Sequence, residues 1–387
     1  MTRPEFSILV PTRNRSEQIS ATLIPLAHQT HRDYEIVVSD NSDADHADRN
    51  AAVVESLNST VDIRIVRPNA TLNMLGHWNF ALGHTRGTYV GIVTDRMTLL
   101  PSALADVRPH LIGGADCVSF SHTTLRAPYS AAALNPPLSA ASVEQMDAQA
   151  VLSLFARGGA TKACPRLLNC FTRSEVLTRM KDDAGEALLG ISPDYSFLFN
   201  YLARYPAYLH LHRQYLVDHA PQVSNGSAAT QNKPNRAFSD FHARMLNEQQ
   251  DTMALRPLPK DYIFFANIVL SEYVLASQKT PGANLPPLDP AGIYASCWSQ
   301  ARKIAAYGNE ATDIALELLE AYRIQNNLPR PSMVDRLNMA WRKRRNLIKR
   351  RNTERLNAAQ AAPRQFELAR ELSRGHEVLA ALQSLDA

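Results

Sequence analysis

The strongest constraint on the fold is an alternation of short apolar runs and helical patterns along the first 120 residues. Between the apolar runs lie helical signals, such as the stripe formed by Ile19, Leu23 and Leu26. Strands that alternate with helices predict βαβ units and a mostly parallel sheet with flanking helices. Five runs have the composition of buried strands: 6–10, 34–38, 62–66, 89–93 and 115–120.

The patterns change after this region. Residues 123–141 are rich in Ala, Ser and Pro, and residues 224–234 are polar, so both predict long surface loops. Between them, periodicity predicts helices over 143–156 and 194–204 and strands over 167–171 and 207–217.

Beyond residue 240 the predicted elements are all helical, and Pro-rich segments separate several of them. They comprise one basic helix and four others: 260–277, 291–306, 310–326 and 365–382. We therefore expect an α/β domain over 1–235, a helical domain over 236–330 and a basic amphipathic helical tail over 331–387.

Composition narrows the class of protein. The chain has 387 residues, 45% of them hydrophobic and 20% charged, which is typical of a soluble globular protein. No run approaches the ~20 apolar residues of a membrane-spanning helix, and no signal-peptide pattern opens the chain, so we expect a cytoplasmic protein. The cysteines match neither a zinc-ligand nor a Cys-x-x-Cys spacing and are predicted to be buried apolar residues: Cys117, Cys164, Cys170 and Cys297.

Polar clusters follow three of the predicted strands, at 11–15, 39–43 and 94–97. In open α/β sheets, ligands bind beyond the carboxyl ends of the strands. The three clusters together predict a nucleotide pocket, although each cluster alone would be no more than a polar turn.

These segments resemble a known family. Phe6-Ser-Ile-Leu-Val-Pro-Thr-Arg-Asn-Arg15, His28-Gln-Thr30 and Tyr34-Glu-Ile-Val-Val-Ser-Asp-Asn-Ser42 look like the start of an inverting family 2 glycosyltransferase. The resemblance is dense over 6–105 and thinner to about residue 230. It implies a GT-A fold, Rossmann-like with a mostly parallel sheet and flanking helices, to which this chain adds an α-helical C-terminal extension.

The resemblance also implies a donor site. Asp40 would accept a hydrogen bond from the base, and Asp95 opens the position of the family's Asp-x-Asp-type motif, which faces the ribose and a cation on the diphosphate. One turn would cradle the base and ribose of the nucleotide: Pro11, Thr12, Arg13, Asn14 and Arg15.

The chain departs from the family at Arg96 and Met97, which stand where further acids are expected. Methionine is a poor ligand for Mg²⁺ or Mn²⁺. In one interpretation, Arg96 and the arginines at 13 and 15 neutralise the leaving diphosphate, and metal dependence is weak or absent. In the other, Arg96 points to solvent and Asp95 binds a divalent cation with a second ligand such as His219. Both interpretations are open.

The resemblance implies chemical roles for two further positions. Asp194 lies in Ser192-Pro-Asp194 at a predicted helix start, where the family has its general base. The alternative is an ordinary helix cap. His219 follows the last predicted strand, where related enzymes contact the diphosphate or its metal; the alternative is a surface histidine.

A basic segment accounts for the positive net charge. Residues 336–355 hold nine Lys and Arg against one acid, whereas the formal net charge of the chain is +4. Apolar residues on one helical face of 334–356, among them Trp341, suit anionic lipid headgroups. We expect binding to the inner membrane surface, with packing against the protein's own domain or a partner as the alternative. The mildly acidic remainder argues against nucleic-acid binding.

The sequence thus predicts an enzyme that moves a sugar from a nucleotide-diphosphate sugar to a glycan or lipid-linked glycan. A UDP-sugar is favoured as donor, and dTDP- and GDP-sugars are not excluded. The alternative is a catalytically silent GT-A-like module that binds nucleotide or glycan. A nucleotidyltransferase is disfavoured because no Gly-rich phosphate loop with a lysine follows the first strand.

Overall fold

The computed structural model describes residues 3–223, 265–305, 310–330 and 367–386. The strands within these ranges are β1 (Phe6–Thr12), β2 (Tyr34–Asp40), β3 (Asp62–Val66), β4 (Tyr89–Ile92), β5 (Met97–Leu99), β6 (Cys117–Leu125), β7 (Leu134–Asn135), β8 (Val143–Asp147), β9 (Cys170–Arg173) and β10 (Ala207–Asp218). The helices are α1 (Ser16–Leu26), α2 (Ala44–Glu55), α3 (Met74–Leu82), α4 (Ala103–Ile112), α5 (Ala148–Ala156), α6 (Ser174–Ala184), α7 (Pro193–Leu202), α8 (Phe265–Lys279), α9 (Pro290–Ala305), α10 (Glu310–Gln325) and α11 (Leu368–Asp386).

One sheet organises the molecule, with strand order β3-β2-β1-β4-β9-β6-β10-β5. Strands β3, β2, β1 and β4 are mutually parallel, and β6 is parallel to β10. Strand β9 runs antiparallel between β4 and β6, and β5 runs antiparallel to β10. With helices on both faces and further helices at the C-terminus, the structure confirms the predicted fold class.

Both faces of the sheet are covered, which explains why β1 and β2 are buried along their whole length. Alternate side chains of β1 enter different cores: Ile8 and Val10 join one cluster, and Leu9 joins the other. Helices α1, α4 and α11 contribute to the first core, and α3, α5, α7 and α8 contribute to the second. The continuous apolar runs in the sequence follow from this double burial.

The C-terminal helices pack onto the α/β core. Helix α8 packs on α7, where the rings of Phe199 and Tyr273 lie 5.2 Å apart. Helices α9 and α10 share a small apolar cluster with Leu270 of α8. Helix α11 lies directly on α1, and a Cβ at Gly375 would come within 2.7 Å of the carbonyl oxygen of Ser20, so only glycine allows this approach.

Several elements differ from the sequence predictions. Residues 143–147 form β8, paired antiparallel with β10, so the helix predicted over 143–156 begins only at Ala148. The carboxylate of Asp147 caps this helix by accepting from the N–H of Ala150 at 2.6 Å. The loop predicted over 123–141 contains the short strand β7, which pairs antiparallel with the last residues of β6.

Other predictions are confirmed or untested. The four cysteines are buried and free. No helix of the described chain has the length and hydropathy needed to cross a membrane. The polar loop 224–234, the domain boundary at residue 235 and the basic segment 334–356 lie outside the described residues and stay predictions.

Candidate active site

The polar clusters after β1 and β2 are locked together. The parallel register pairs Pro11 with Ser39 and Thr12 with Asp40, so the two turns leave the sheet side by side. Asn14 adopts a left-handed conformation (φ 53°), which asparagine tolerates. Its N–H donates to Ser42 Oγ at 2.8 Å, and its side-chain amide exchanges two hydrogen bonds with Asp43: Nδ2 donates to Oδ2 at 3.0 Å, and Oδ1 accepts from the backbone N–H at 2.9 Å.

Asp40 is fully buried between these turns. Its Oδ1 accepts from the N–H of Ser42 at 2.9 Å, whereas its Oδ2 is buried with no hydrogen-bond partner among the described residues. An unsatisfied carboxylate oxygen is costly to bury. The unpaired oxygen is therefore suited to accept an N–H from a ligand.

His77 of α3 lies beside this carboxylate. Its Nε2 lies 2.8 Å from Ser39 Oγ. The pKa of His77 is lowered to about 4, mainly by burial and also by the positive charge of Arg13, whereas a hydrogen bond with Ser39 and the negative charge of Asp40 oppose the shift. The imidazole is therefore neutral at physiological pH.

Asp95 joins the third cluster to the first. It follows β4 and is only 3% exposed. Its Oδ2 accepts from Thr12 Oγ1 at 2.9 Å, and its Oδ1 lies 3.2 Å from Nη1 of Arg15, forming an ion pair. All three strand-end clusters thus converge at one edge of the sheet.

Arg96 does not point freely into solvent. Its guanidinium pairs with Asp218 at the end of β10, and each of the two side chains is 13% exposed. Burial raises the pKa of the Asp218 carboxyl, although Arg96 opposes the shift. The N–H of His219 donates to the carbonyl oxygen of Arg96 at 3.1 Å, which fixes the two segments together.

His219 is buried and therefore not a surface residue. Its Nε2 lies 3.0 Å from Thr22 Oγ1, and its Nδ1 has no partner within the described ranges. Burial lowers the pKa of His219 to about 3, and Arg374 and Arg96 add to the shift.

Among the described residues of this region, the acidic side chains already have protein partners. Both oxygens of Asp95 already have partners, and Asp218 pairs with Arg96. In the part of the chain that the structure describes, no three His, Cys, Asp or Glu side chains are grouped so that they could hold a metal ion.

Asp194 lies in the first turn of α7, where Pro193 occupies an early helical position. The N-cap residue is Ser192, which makes no side-chain capping bond, so Asp194 is not the helix cap. Ser192 Oγ donates to Asp194 Oδ1 at 2.9 Å, and Arg166 Nη1 lies 3.8 Å from Oδ2. The Asp194 side chain remains 17% exposed.

Sequence reasoning missed two residues that lie near Asp194 and Arg96. Arg166 pairs with Asp194 and lies over the ring of Tyr195, 5.6 Å from its centroid. His122, within β6, has its pKa lowered to about 4 by burial and by the charges of Arg166, Lys162 and Arg96. His122 follows a predicted strand and could have been flagged as a fourth strand-end position, whereas nothing in the pattern around Arg166 indicates its role.

Residues 7–124 match the family model described as Glycosyl transferase family 2. This segment contains all three strand-end clusters and ends before Asp194. No curated protein matches the chain.

Two similar solved structures cover most of the chain. S. aureus TarS 1-349 in complex with UDP-GlcNAc is 13% identical, with a TM-score of 0.46, over 84% of this chain and 93% of that chain. Mannosyltransferase PcManGT from Pyrobaculum calidifontis, in complex with GDP-Man and Mn2+, is 15% identical, with a TM-score of 0.42, over 89% of this chain and 88% of that chain. At such TM-scores neither likeness assigns a substrate or a mechanism to this chain.

Proposed function

We propose, from the premise that residues 7–124 form a family 2 glycosyltransferase domain, that the chain is an inverting glycosyltransferase. It would move a hexose from a nucleotide-diphosphate sugar to a hydroxyl group of a glycan or lipid-linked glycan. The observation that carries this proposal is that the family-matched strand-end clusters converge around Asp40 and Asp95 at one edge of the sheet.

The donor's base is assigned to the pocket at Asp40. The unpaired Oδ2 would accept a ring N–H, and the neutral His77 and the turn at residues 11–15 border the same space. We favour a UDP-sugar. Thermal shift with a panel of UDP-, dTDP- and GDP-sugars tests this choice, because a ligand that binds the folded state raises the melting temperature. Stabilisation by GDP-sugars alone would contradict it.

The leaving diphosphate requires positive charge. Arg15 pairs with Asp95, Arg96 follows Asp95 in the chain, and the charge of Arg13 acts on His77; guanidinium groups pair well with phosphate oxygens. Both oxygens of Asp95 already have protein partners, and Asp218 pairs with Arg96, so these carboxylates are engaged in the protein itself, which favours a weak dependence on Mg²⁺ or Mn²⁺. Activity that survives EDTA supports this view. Activity lost with EDTA and restored by Mn²⁺ would instead support a cation bound by Asp95 and His219.

Asp194 is proposed as the general base. In the displacement, the acceptor oxygen forms a bond to the anomeric carbon, the bond to the diphosphate breaks, and the acceptor's proton passes to the Asp194 carboxylate. Ser192 and Arg166 hold that carboxylate in place.

Asp194→Asn tests this assignment, because the amide keeps the shape and the acceptor oxygen for Ser192 but is a poor base. We expect turnover to fall by about 10²- to 10⁴-fold with nucleotide affinity unchanged. The matched control is Asp183→Asn, on an exposed carboxylate that pairs with Arg204. Full turnover by Asp194→Asn would refute the assignment.

A catalytically silent binding module is the second candidate, favoured by the replacement of family acids by Arg96 and Met97 and by the pairing of Arg96 with Asp218. Binding of a nucleotide-sugar without transfer or hydrolysis would support it, whereas release of nucleoside diphosphate would exclude it.

The basic segment 334–356 is proposed to bind anionic membrane surfaces and so bring the enzyme to a lipid-linked acceptor. Sedimentation with anionic and neutral liposomes, using the native chain and a chain in which Arg342, Lys343, Arg344 and Arg345 are replaced by alanine, tests this while helix α11 is kept. Equal sedimentation of the two chains would contradict it.

A further inference from the structure

The segment that leads into Asp194 is held from several sides. Asn79 of α3 forms a pair of hydrogen bonds with the backbone of Leu188: its Nδ2 donates to the carbonyl oxygen at 3.0 Å, and its Oδ1 accepts from the N–H at 3.1 Å. Ser196 Oγ accepts from the N–H of Leu189 at 2.7 Å. The backbone from residue 188 to α7 is therefore fixed by side chains.

A carboxyl group from a distant helix completes this set. Glu272 of α8 is only 1% exposed, and its Oε1 accepts from the N–H of Ser192 at 2.8 Å. Its second oxygen, Oε2, has no hydrogen-bond partner in the described parts of the chain. Gly190 has φ +71°, and a Cβ there would overlap this carboxyl group. Glycine at 190 thus lets the loop close directly onto Glu272.

The placement of an acidic side chain here is unfavourable in itself. Its neighbours on α8, Val269, Tyr273 and Ala276, belong to the apolar core. Burial raises the pKa of the Glu272 carboxyl well above its ordinary value, and the charge of Asp194 adds to the shift, while the N–H groups of Ile191 and Ser192 oppose it. Burial therefore favours the neutral form of this carboxyl group, and its favourable contacts are with the loop backbone.

A short path links this carboxyl group to the proposed base. Glu272 holds the N–H of Ser192, and the hydroxyl of the same serine donates to Asp194 Oδ1 at 2.9 Å. A shift of Ser192 would therefore move the hydrogen bond that orients Asp194.

We infer that Glu272 is a positioning residue for Asp194, so that helix α8, which lies outside the family-matched segment, completes the catalytic centre. The inference rests on the proposed function. Residues 7–124 cannot orient the proposed base by themselves, because Glu272 lies far downstream of them.

Four variants test the inference. Glu272→Ala removes the acceptor, Glu272→Gln keeps a neutral acceptor oxygen, and Ser192→Ala removes the hydroxyl bond to Asp194. Glu317→Ala, at an exposed position of α10, is the control. For Glu272→Ala we expect kcat to fall by about 10- to 100-fold, the cost of misplacing a reacting group by about 1 Å. The dissociation constant of the donor nucleotide should stay as in the wild type, and Glu272→Gln should recover most of kcat.

The outcomes separate positioning from mere structural support. A fall in kcat without loss of nucleotide affinity, restored by Glu272→Gln, supports the inference. A folded Glu272→Ala variant with wild-type kcat, or one that loses nucleotide affinity and kcat in the same proportion, overturns it. If Glu272→Ala does not fold, Ser192→Ala decides: an unchanged kcat overturns the path through the serine, and a reduced kcat supports it.

Hydrogen exchange tests the role of Glu272 independently of the proposed function. The amides of residues 188–192 should exchange faster in Glu272→Ala than in Glu317→Ala, whether or not a donor has been identified. Equal exchange overturns the role of Glu272. Full turnover by Asp194→Asn instead refutes the base assignment and leaves the loop contact established by exchange.

Discussion

Gly190→Ala is the substitution whose cost can be worked out most fully from the structure. A residue with a side chain pays about 1–2 kcal/mol to adopt a left-handed conformation such as the φ of +71° at this position. The added Cβ would also overlap the Glu272 carboxyl, and overpacking of a filled core costs about 1–3 kcal/mol. We therefore expect Gly190→Ala to lower the free energy of unfolding by about 2–5 kcal/mol.

A double-mutant cycle separates these two contributions. Glu272→Ala alone leaves the N–H of Ser192 without its acceptor, at a cost of about 1–3 kcal/mol. In the double variant the carboxyl is absent, so the overlap disappears while the backbone strain remains. The double variant should thus be less destabilised than the sum of the single variants by about 1–3 kcal/mol.

Urea unfolding of the four proteins, followed by circular dichroism, measures the cycle. Costs that add within about 0.5 kcal/mol would refute the close contact between Gly190 and Glu272. The backbone part of the cost is checked by Gly185→Ala, because Gly185 also has a positive φ of 83° but nothing within 4 Å of its Cβ position. The loss of unfolding free energy in Gly185→Ala should match the backbone contribution alone.

Three further predictions concern titration and donor binding. The pKa of Glu272 in the folded protein lies above its ordinary value of 4.5, so the native state binds more protons than the unfolded chain, and this carboxyl lowers stability as pH rises above about 5. Glu272→Gln should lessen that decline, measured as the urea midpoint against pH. Parallel midpoint curves for the wild type and the variant would contradict this prediction. Burial lowers the pKa of His77 and His210 to about 4 and of His219 to about 3, so these groups bind more protons in the unfolded chain. In Glu272→Gln, where the opposing titration of Glu272 is absent, the melting temperature should therefore fall as pH drops below about 6.5, and a flat profile down to about pH 5 would contradict this. Asp40→Asn should weaken nucleotide binding by about 1.5–3 kcal/mol, the range for hydrogen bonds to charged groups, and equal affinity in calorimetry would remove Asp40 from the base pocket.

The strand-end clusters could be predicted because their signals are local. Each buried strand is a run of apolar residues, each is followed by its own polar turn, and parallel strands bring those turns to one edge. The convergence of Thr12, Asp40 and Asp95 follows from that rule without any knowledge of long-range contacts.

The contacts that the sequence does not reveal join residues far apart in the chain. Arg96 and Asp218 are separated by 122 residues, and Ser192 and Glu272 by 80. The helix predicted over 143–156 is partly wrong for the same reason, because pairing with β10 recruits residues 143–147 into the sheet. Local propensity carries no information about such partners.

Two of the long-range contacts made by the C-terminal helices support segments of the candidate site. Helix α11 packs on α1, which directly follows the turn at residues 11–15, and Ser20 Oγ donates to the carbonyl oxygen of Glu371 at 2.6 Å. Helix α8 supports the segment before Asp194 through Glu272. Under the proposed function, the family-matched segment would hold the donor, and the position of the proposed base would depend on the helices that follow it. Helices α8 and α11 are therefore part of the same packed unit as the sheet, because their removal would expose apolar core and leave the N–H of Ser192 without its acceptor.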